Sequence, residues 1–140
     1  MEHSAKFPKS EHLCGAKNLT RLFEQGNAFI AYPLRVLYLQ EASGGVSETL
    51  RVVVVVPKKR FKRAVDRNRL KRLMREAYRL NKPELLTALK ENGKQMLLAF
   101  HYVADNKMEF ADVERKMKIA LKRIIGTVNG QVQTDSKKND

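Results

Sequence analysis

The chain has 140 residues, 43% of them hydrophobic, and carries 28 Lys and Arg against 15 Asp and Glu, a formal net charge of +13. That length suits one domain, and the apolar fraction excludes a disordered basic tail. A single Cys excludes a disulfide framework and a cysteine zinc site, no apolar run approaches a transmembrane span, and the N-terminus lacks a signal-peptide core; a reducing, cytoplasmic setting is expected.

Residues 1–12 mix Lys, Pro, Ser and His and read as a loosely ordered arm. A short helix is predicted from Ala16 to Gln25, with Leu19, Leu22 and Phe23 on one face and Gly26 as its stop. Ala28 to Gln40 reads as extended. Alternation there sets Leu34, Val36 and Tyr38 on one side and Arg35, Leu37 and Leu39 on the other. Glu41 to Glu48, with Ser43, Gly44 and Gly45, reads as a hairpin loop. The β-branched run Val52 to Val56 has no polar face and predicts a central strand covered on both sides.

Lys58 to Arg79 follows that strand. Eleven of its twenty-two residues are basic and only Asp66 and Glu76 oppose them, so +9 of the net charge lies here. Its second half predicts a helix that Asp66 can cap. Leu70, Leu73, Met74, Ala77 and Leu80 form one stripe, and Asn68, Lys71, Arg72, Arg75 and Arg79 lie opposite. Solvated helix faces ordinarily mix Glu with Lys. This face holds cations and an Asn, and such clustered charge repels itself unless a polyanion docks on it. Arg outnumbers Lys in the helix, which suits bidentate phosphate contacts. A membrane surface fits less well, because the apolar stripe lacks Trp and Phe.

Pro83 marks the first turn of a second short helix and Gly93 its end. Gln95 to Val103 reads as the last strand. Met108 to Ile125 reads as the closing helix, with Phe110, Val113, Met117, Ala120, Leu121 and Ile124 as its stripe and Gly126 as its stop. Residues 1–127 are expected to form a single nucleic-acid-binding domain and residues 128–140 a disordered polar tail. The order α-β-β-β-α-β-α predicts an α/β (α+β) two-layer sandwich with one sheet face against helices and the other partly open.

A self-sufficient nuclease needs clustered carboxylates or histidines. Glu109, Asp112 and Glu114 are the nearest group, and the dipole of the last helix accounts for them. His3 and His12 lie in the arm, His101 reads as a packed or edge strand residue, and Cys14 as an inert thiol. No phosphate-binding glycine loop appears. Charge and pattern leave three classes open: a protein helper of an RNA catalyst, a structural RNA-binding or ribosome-assembly protein, and a DNA-compacting protein.

Arg67-Asn68-Arg69-Leu70-Lys71-Arg72-Leu73-Met74-Arg75-Glu76, preceded by a valine strand and the pair Lys58-Lys59, closely resembles the signature of the bacterial ribonuclease P protein subunit. The order of elements resembles that family from about Leu13 to Ile125. The resemblance implies a sandwich like a ribosomal-protein domain, with a left-handed crossover around the signature helix, against the right-handed default. It also implies a subunit that binds a catalytic RNA and the 5′ leader of precursor tRNA. The RNA and its Mg²⁺ then perform the endonucleolytic cleavage, with no catalytic residue and no metal site in the protein alone and no obligate protein partner. Carried over by position, Arg67, Asn68, Arg69, Lys71, Arg72 and Arg75 are implied to contact the catalytic RNA, supported by Lys58, Lys59, Lys62 and Arg63. Phe23 and Tyr38 match positions that offer stacking rings to the leader, Tyr38 through a ring exposed on the open sheet face. Leu19 stands where many members have Phe.

Overall fold

A computed structural model of the chain describes residues 16–42 and 49–130. The expected arm, the centre of the loop at 43–48 and the tail from residue 131 lie outside these. The elements are α1 (Ala16–Gln25), β1 (Asn27–Ala31), β2 (Leu34–Ala42), β3 (Leu50–Val55), α2 (Ala64–Asn81), α3 (Pro83–Glu91), β4 (Lys94–Tyr102) and α4 (Phe110–Val128). The four strands form one sheet in the order β1-β2-β4-β3. β1, β2 and β4 are antiparallel neighbours, and β3 runs parallel to β4. The result is the expected two-layer α/β sandwich.

Three expectations change. The extended stretch from Ala28 is two strands, because the turn at Tyr32 and Pro33 folds β1 back on β2. β2 and β3 do not form a hairpin, since β4 lies between them. The valine strand is therefore an edge of the described sheet, not its centre. Leu50, Val52 and Val54 are buried while Arg51, Val53 and Val55 are only half-covered. An unbroken β-branched run dictates extended backbone but carries no alternation that assigns its place. β4 holds the interior position. Met96 to Phe100 are buried without a break, as a strand covered on both faces requires.

One sheet face carries Phe29, Val36, Tyr38, Val52, Val54, Leu98 and Phe100, and joins a single core with Leu70, Met74 and Tyr78 of α2, Leu85 and Leu89 of α3, and Val113, Met117, Leu121 and Ile124 of α4. Ring pairs sit inside it, with Tyr78 and Phe100 centroids 6.0 Å apart and Phe29 and Tyr38 also 6.0 Å apart. The guanidinium of Arg123 stands 4.3 Å from the Phe29 ring centroid and closes the β1 side. The other face is covered only in part. There Leu22 of α1 packs with Leu37, Leu97 and Ala99, flanked by Leu19, Ala28, Leu39 and Val53.

Helix ends also shift. α2 starts at Ala64 with Arg63 at its N-cap position, so Asp66 lies within the first turn and does not cap it. α4 begins at Phe110 and runs through Gly126 to Val128, both of which are buried, so Gly126 does not stop it. A glycine inside a helix costs about 1 kcal/mol relative to Ala, which packing on a continuous apolar stripe offsets.

Candidate nucleic-acid interface

Helix α2 sorts its side chains by period. Leu70, Met74, Ala77 and Tyr78 are buried, and Tyr78 takes the inward place expected for Leu80, which is 46% exposed. Asn68, Arg69, Arg72 and Arg75 face solvent and Lys71 is half-buried. Arg69, Arg72 and Arg75 recur at three-residue steps, so they stand about one turn apart as same-face neighbours. Lys58, Lys59, Lys62 and Arg63 of the preceding connection are exposed as well. Among the described residues, none of these eight cations forms an ion pair. Arg79 differs: its Nη2 donates to Glu76 Oε2 at 2.6 Å and its Nε to Oε1 at 3.2 Å. That hydrogen bond holds the Glu76 carboxyl below its ordinary value, against the opposing pull of desolvation. The signature thus keeps its one internal carboxylate occupied by Arg79 and leaves the cations before it unopposed.

Arg67 has a different role from its neighbours. It is half-buried, and its Nη1 donates to the carbonyls of Phe61 and Lys62, each at 2.9 Å. It ties the cationic connection to the first turn of α2. Other bonds fix the same region. Lys107 Nζ lies 3.2 Å from Asp66 Oδ1, and Arg60 pairs with Asp105. The Phe61 ring packs edge-on to Tyr102, with centroids 5.8 Å apart. The Tyr102 hydroxyl donates to the Asn106 carbonyl at 2.7 Å and accepts from the Met108 N–H at 3.0 Å. Arg67→Ala is therefore expected to cost about 1–3 kcal/mol in a urea melt, whereas Arg69→Ala stays within about 0.5 kcal/mol of the parent, as surface substitutions do. Superimposable melts for both would remove the anchoring role from Arg67.

The partly covered sheet face forms the second half of the surface. Strand register places Ile30, Arg35, His101 and Val55 side by side across all four strands, one row beyond the row that α1 covers. Ile30 is exposed, and Arg35, His101 and Val55 are half-buried. Between this row and α1 lies a cleft of about 400 Å³, lined by Phe23, Gly26, Ala28, Ile30, Arg35 and Leu37 among others. Phe23 stands at its margin and is 56% exposed. Leu22, one position earlier, takes the buried place against the sheet. Burial pushes the His101 imidazole below the usual histidine range, and the positive charges of Arg35, Arg60 and Lys59 push the same way. The cationic connection and the open face are therefore electrostatic neighbours.

Tyr38 is not on this face. It shares a side with Leu34 and Val36, as alternation predicts, but that side is the helix-covered one. Tyr38 is 7% exposed, with its ring against Phe29. A ring enclosed in the core cannot stack on an incoming base, so the expected exposed ring is corrected. The residues that do face the cleft beside Phe23 are Ile30, Arg35 and Leu37. The signal for Arg35 and Leu37 is present in the alternation, which sets them opposite Tyr38. What it lacks is which side the helices cover. His101, expected to be packed or at an edge, lies on the interior strand and faces the open side.

Among the described residues no three His, Cys, Asp or Glu side chains come together as metal ligands. Asp112 pairs with Arg115 at 3.2 Å and Glu114 accepts from Asn81 Nδ2 at 3.3 Å, so these acids serve separate contacts. No helix among the described residues is long and apolar enough to cross a membrane. His3, His12 and Cys14 lie outside the described residues.

Fold and surface together define an α/β domain with an unopposed cationic helix and a half-open sheet face. Residues 7–125 match the Ribonuclease P family. The chain is 46% identical over 120 residues to the ribonuclease P protein component of Porphyromonas gingivalis, covering 86% of this chain and 87% of that protein. It is 45% identical over 105 residues to the corresponding component of Chlorobaculum tepidum, covering 69% and 67%. In fold it is similar to the Staphylococcus aureus RNase P protein, with a TM-score of 0.62 at 20% identity over 83% of this chain and 96% of that one. The Thermotoga maritima RNase P protein gives a TM-score of 0.62 at 24% identity over 81% and 96%. The chain belongs to the ribonuclease P protein family.

Proposed function

We propose that the chain is the protein subunit of a ribonuclease P whose RNA is the catalyst. In this reading Asn68, Arg69, Lys71, Arg72 and Arg75, with Lys58, Lys59, Lys62 and Arg63, hold the catalytic RNA, and Arg67 serves chiefly to set the shape of that surface. The cleft between α1 and the open sheet face receives the 5′ leader of precursor tRNA. The observation that carries the reading is the set of eight cations on one helix and its lead-in, none of them ion-paired among the described residues, within a family whose members are ribonuclease P protein components. Phosphates supply the counter-charge that this surface lacks.

The chemistry of leader removal, hydrolysis with Mg²⁺, falls to the RNA. In this reading no step is assigned to a metal held by the protein alone. The protein contributes binding and orientation, drawing two polyanions together that otherwise repel. The proposed setting is the bacterial cytoplasm, where precursor tRNA is made.

The test is precursor-tRNA cleavage at low Mg²⁺ by the protein alone, a bacterial ribonuclease P RNA alone, and both together. Activity confined to the mixture supports the reading. Absence of stimulation with the cognate RNA points to a structural RNA-binding role instead, and cleavage by the protein alone overturns the division of labour. Phe23→Ala is expected to weaken leader-bearing precursor tRNA by about 1–3 kcal/mol, the worth of one base-on-ring stack, and to leave mature tRNA unchanged. Equal loss for both RNAs would count against a leader cleft.

A further inference from the structure

We propose that His101 is a leader-phosphate contact that engages only when protonated, so that the grip on the leader tightens as pH falls. This rests on the reading of the α1–sheet cleft as the leader site. The placement is specific. His101 pairs in register with Arg35 on β2 and Val55 on β3, and Ile30 of β1 completes the row. α1 turns Leu19 and Leu22 to the sheet and covers the adjacent row, leaving this one partly open. Arg35 lines the cleft together with Phe23, and His101 is its register partner on the next strand, so a leader phosphate held by Arg35 lies beside His101 in this reading.

The charged groups that His101 senses are all cations: Arg35 from β2, and Lys59 and Arg60 from the connection after β3. The carboxylate of Asp105, four residues on in the chain, pairs with Arg60. Val55 and Ile30 bring no charge, and neither do the two leucines of α1. In the free protein the imidazole is therefore discouraged from taking a proton, by burial first and by like charge second. Above its ordinary range it is neutral and, within a positive cluster, adds nothing to phosphate binding. A phosphate seated between Arg35 and His101 reverses both influences. It screens the cations and offers the imidazolium an acceptor. Binding then takes up a proton, and by linkage the affinity rises as pH falls.

The experiment measures affinity of the assembled complex of protein and ribonuclease P RNA for precursor tRNA and for the same tRNA without its leader, from pH 8 to pH 5.5. The ratio of the two affinities isolates the leader and cancels titration elsewhere in the RNA. For the parent protein this ratio is expected to rise about five- to tenfold as pH falls, since an imidazole that holds its proton about tenfold more tightly in the bound state strengthens binding by up to the same factor. In His101→Arg the ratio is expected to be high and independent of pH, and in His101→Gln low and independent of pH. A ratio in the parent that does not change with pH, or a rise that survives in His101→Gln, overturns the proposal. Phe23→Ala at pH 8 separates the two levels of inference. If it leaves the ratio unchanged, the leader does not use this cleft and the underlying reading fails. If it lowers the ratio while His101→Gln keeps the pH dependence, the cleft stands and only the proton-linked contact fails.

Discussion

Replacing Arg69, Arg72 and Arg75 together by Gln is expected to weaken binding to the catalytic RNA roughly a hundredfold at about 0.15 M salt and to flatten the log–log salt dependence by about 2 to 3, at 0.7–0.9 per phosphate contact. These three are exposed on one face of α2 and form no ion pair among the described residues. Their removal leaves no carboxylate stranded, and it relieves like-charge repulsion worth a few tenths of a kcal/mol per pair. Stability in a urea melt is therefore expected to hold or rise slightly while RNA affinity falls. Arg79→Gln serves as the contrast. It removes the partner of Glu76 and is expected to change the salt slope less than any of the three. A salt slope for the triple variant equal to the parent's would take the α2 face out of the interface.

Gly26→Ala is expected to lower stability by about 1–3 kcal/mol, the usual cost of forcing atoms into a packed site, and to weaken leader-bearing precursor tRNA selectively. Gly26 is the single residue between α1 and β1, and its N–H donates to the Leu22 carbonyl at 2.9 Å. A Cβ there overlaps the Leu22 carbonyl oxygen and stands 3.0 Å from both Leu22 Cδ1 and the Tyr38 carbonyl oxygen. Two of these neighbours are backbone, so relief requires α1 to shift on the sheet. Leu22 then loses its seat against Leu37, Leu97 and Ala99, and the cleft beside Phe23 changes width. α2 packs on the opposite side of the sheet, and its solvent-facing cations are expected to keep their RNA affinity. A variant with the parent's urea midpoint and leader affinity would show that α1 accommodates the methyl group in place.

The local chemistry of this chain is legible without coordinates. Pro83 opens a helix because the first helical position needs no N–H, and α3 begins there. The apolar periodicity of α2 and α4 and the one-signed face of α2 depend on sequence spacing alone, and the structure repeats them with Tyr78 exchanged for Leu80. The signature around Arg67 to Glu76 is equally local, and it sufficed to point to the family.

What the tertiary structure decided is how these pieces face one another. Alternation groups Tyr38 with Leu34 and Val36, but which group meets the helices depends on where α2, α3 and α4 settle, and they settle on the Tyr38 side. That choice turned Arg35 and Leu37 toward the cleft. The run of valines dictates a strand, but pairing is a long-range property, and β4 with its unbroken buried run took the interior place instead. Arg67 reads like its neighbours in the sequence. Only the folded connection brings the carbonyls of Phe61 and Lys62 to its guanidinium. Periodicity reports which side chains share a face. The face that is buried is chosen by contacts distant in sequence, and in this chain that choice separates the cations bonded within the fold from those left facing solvent.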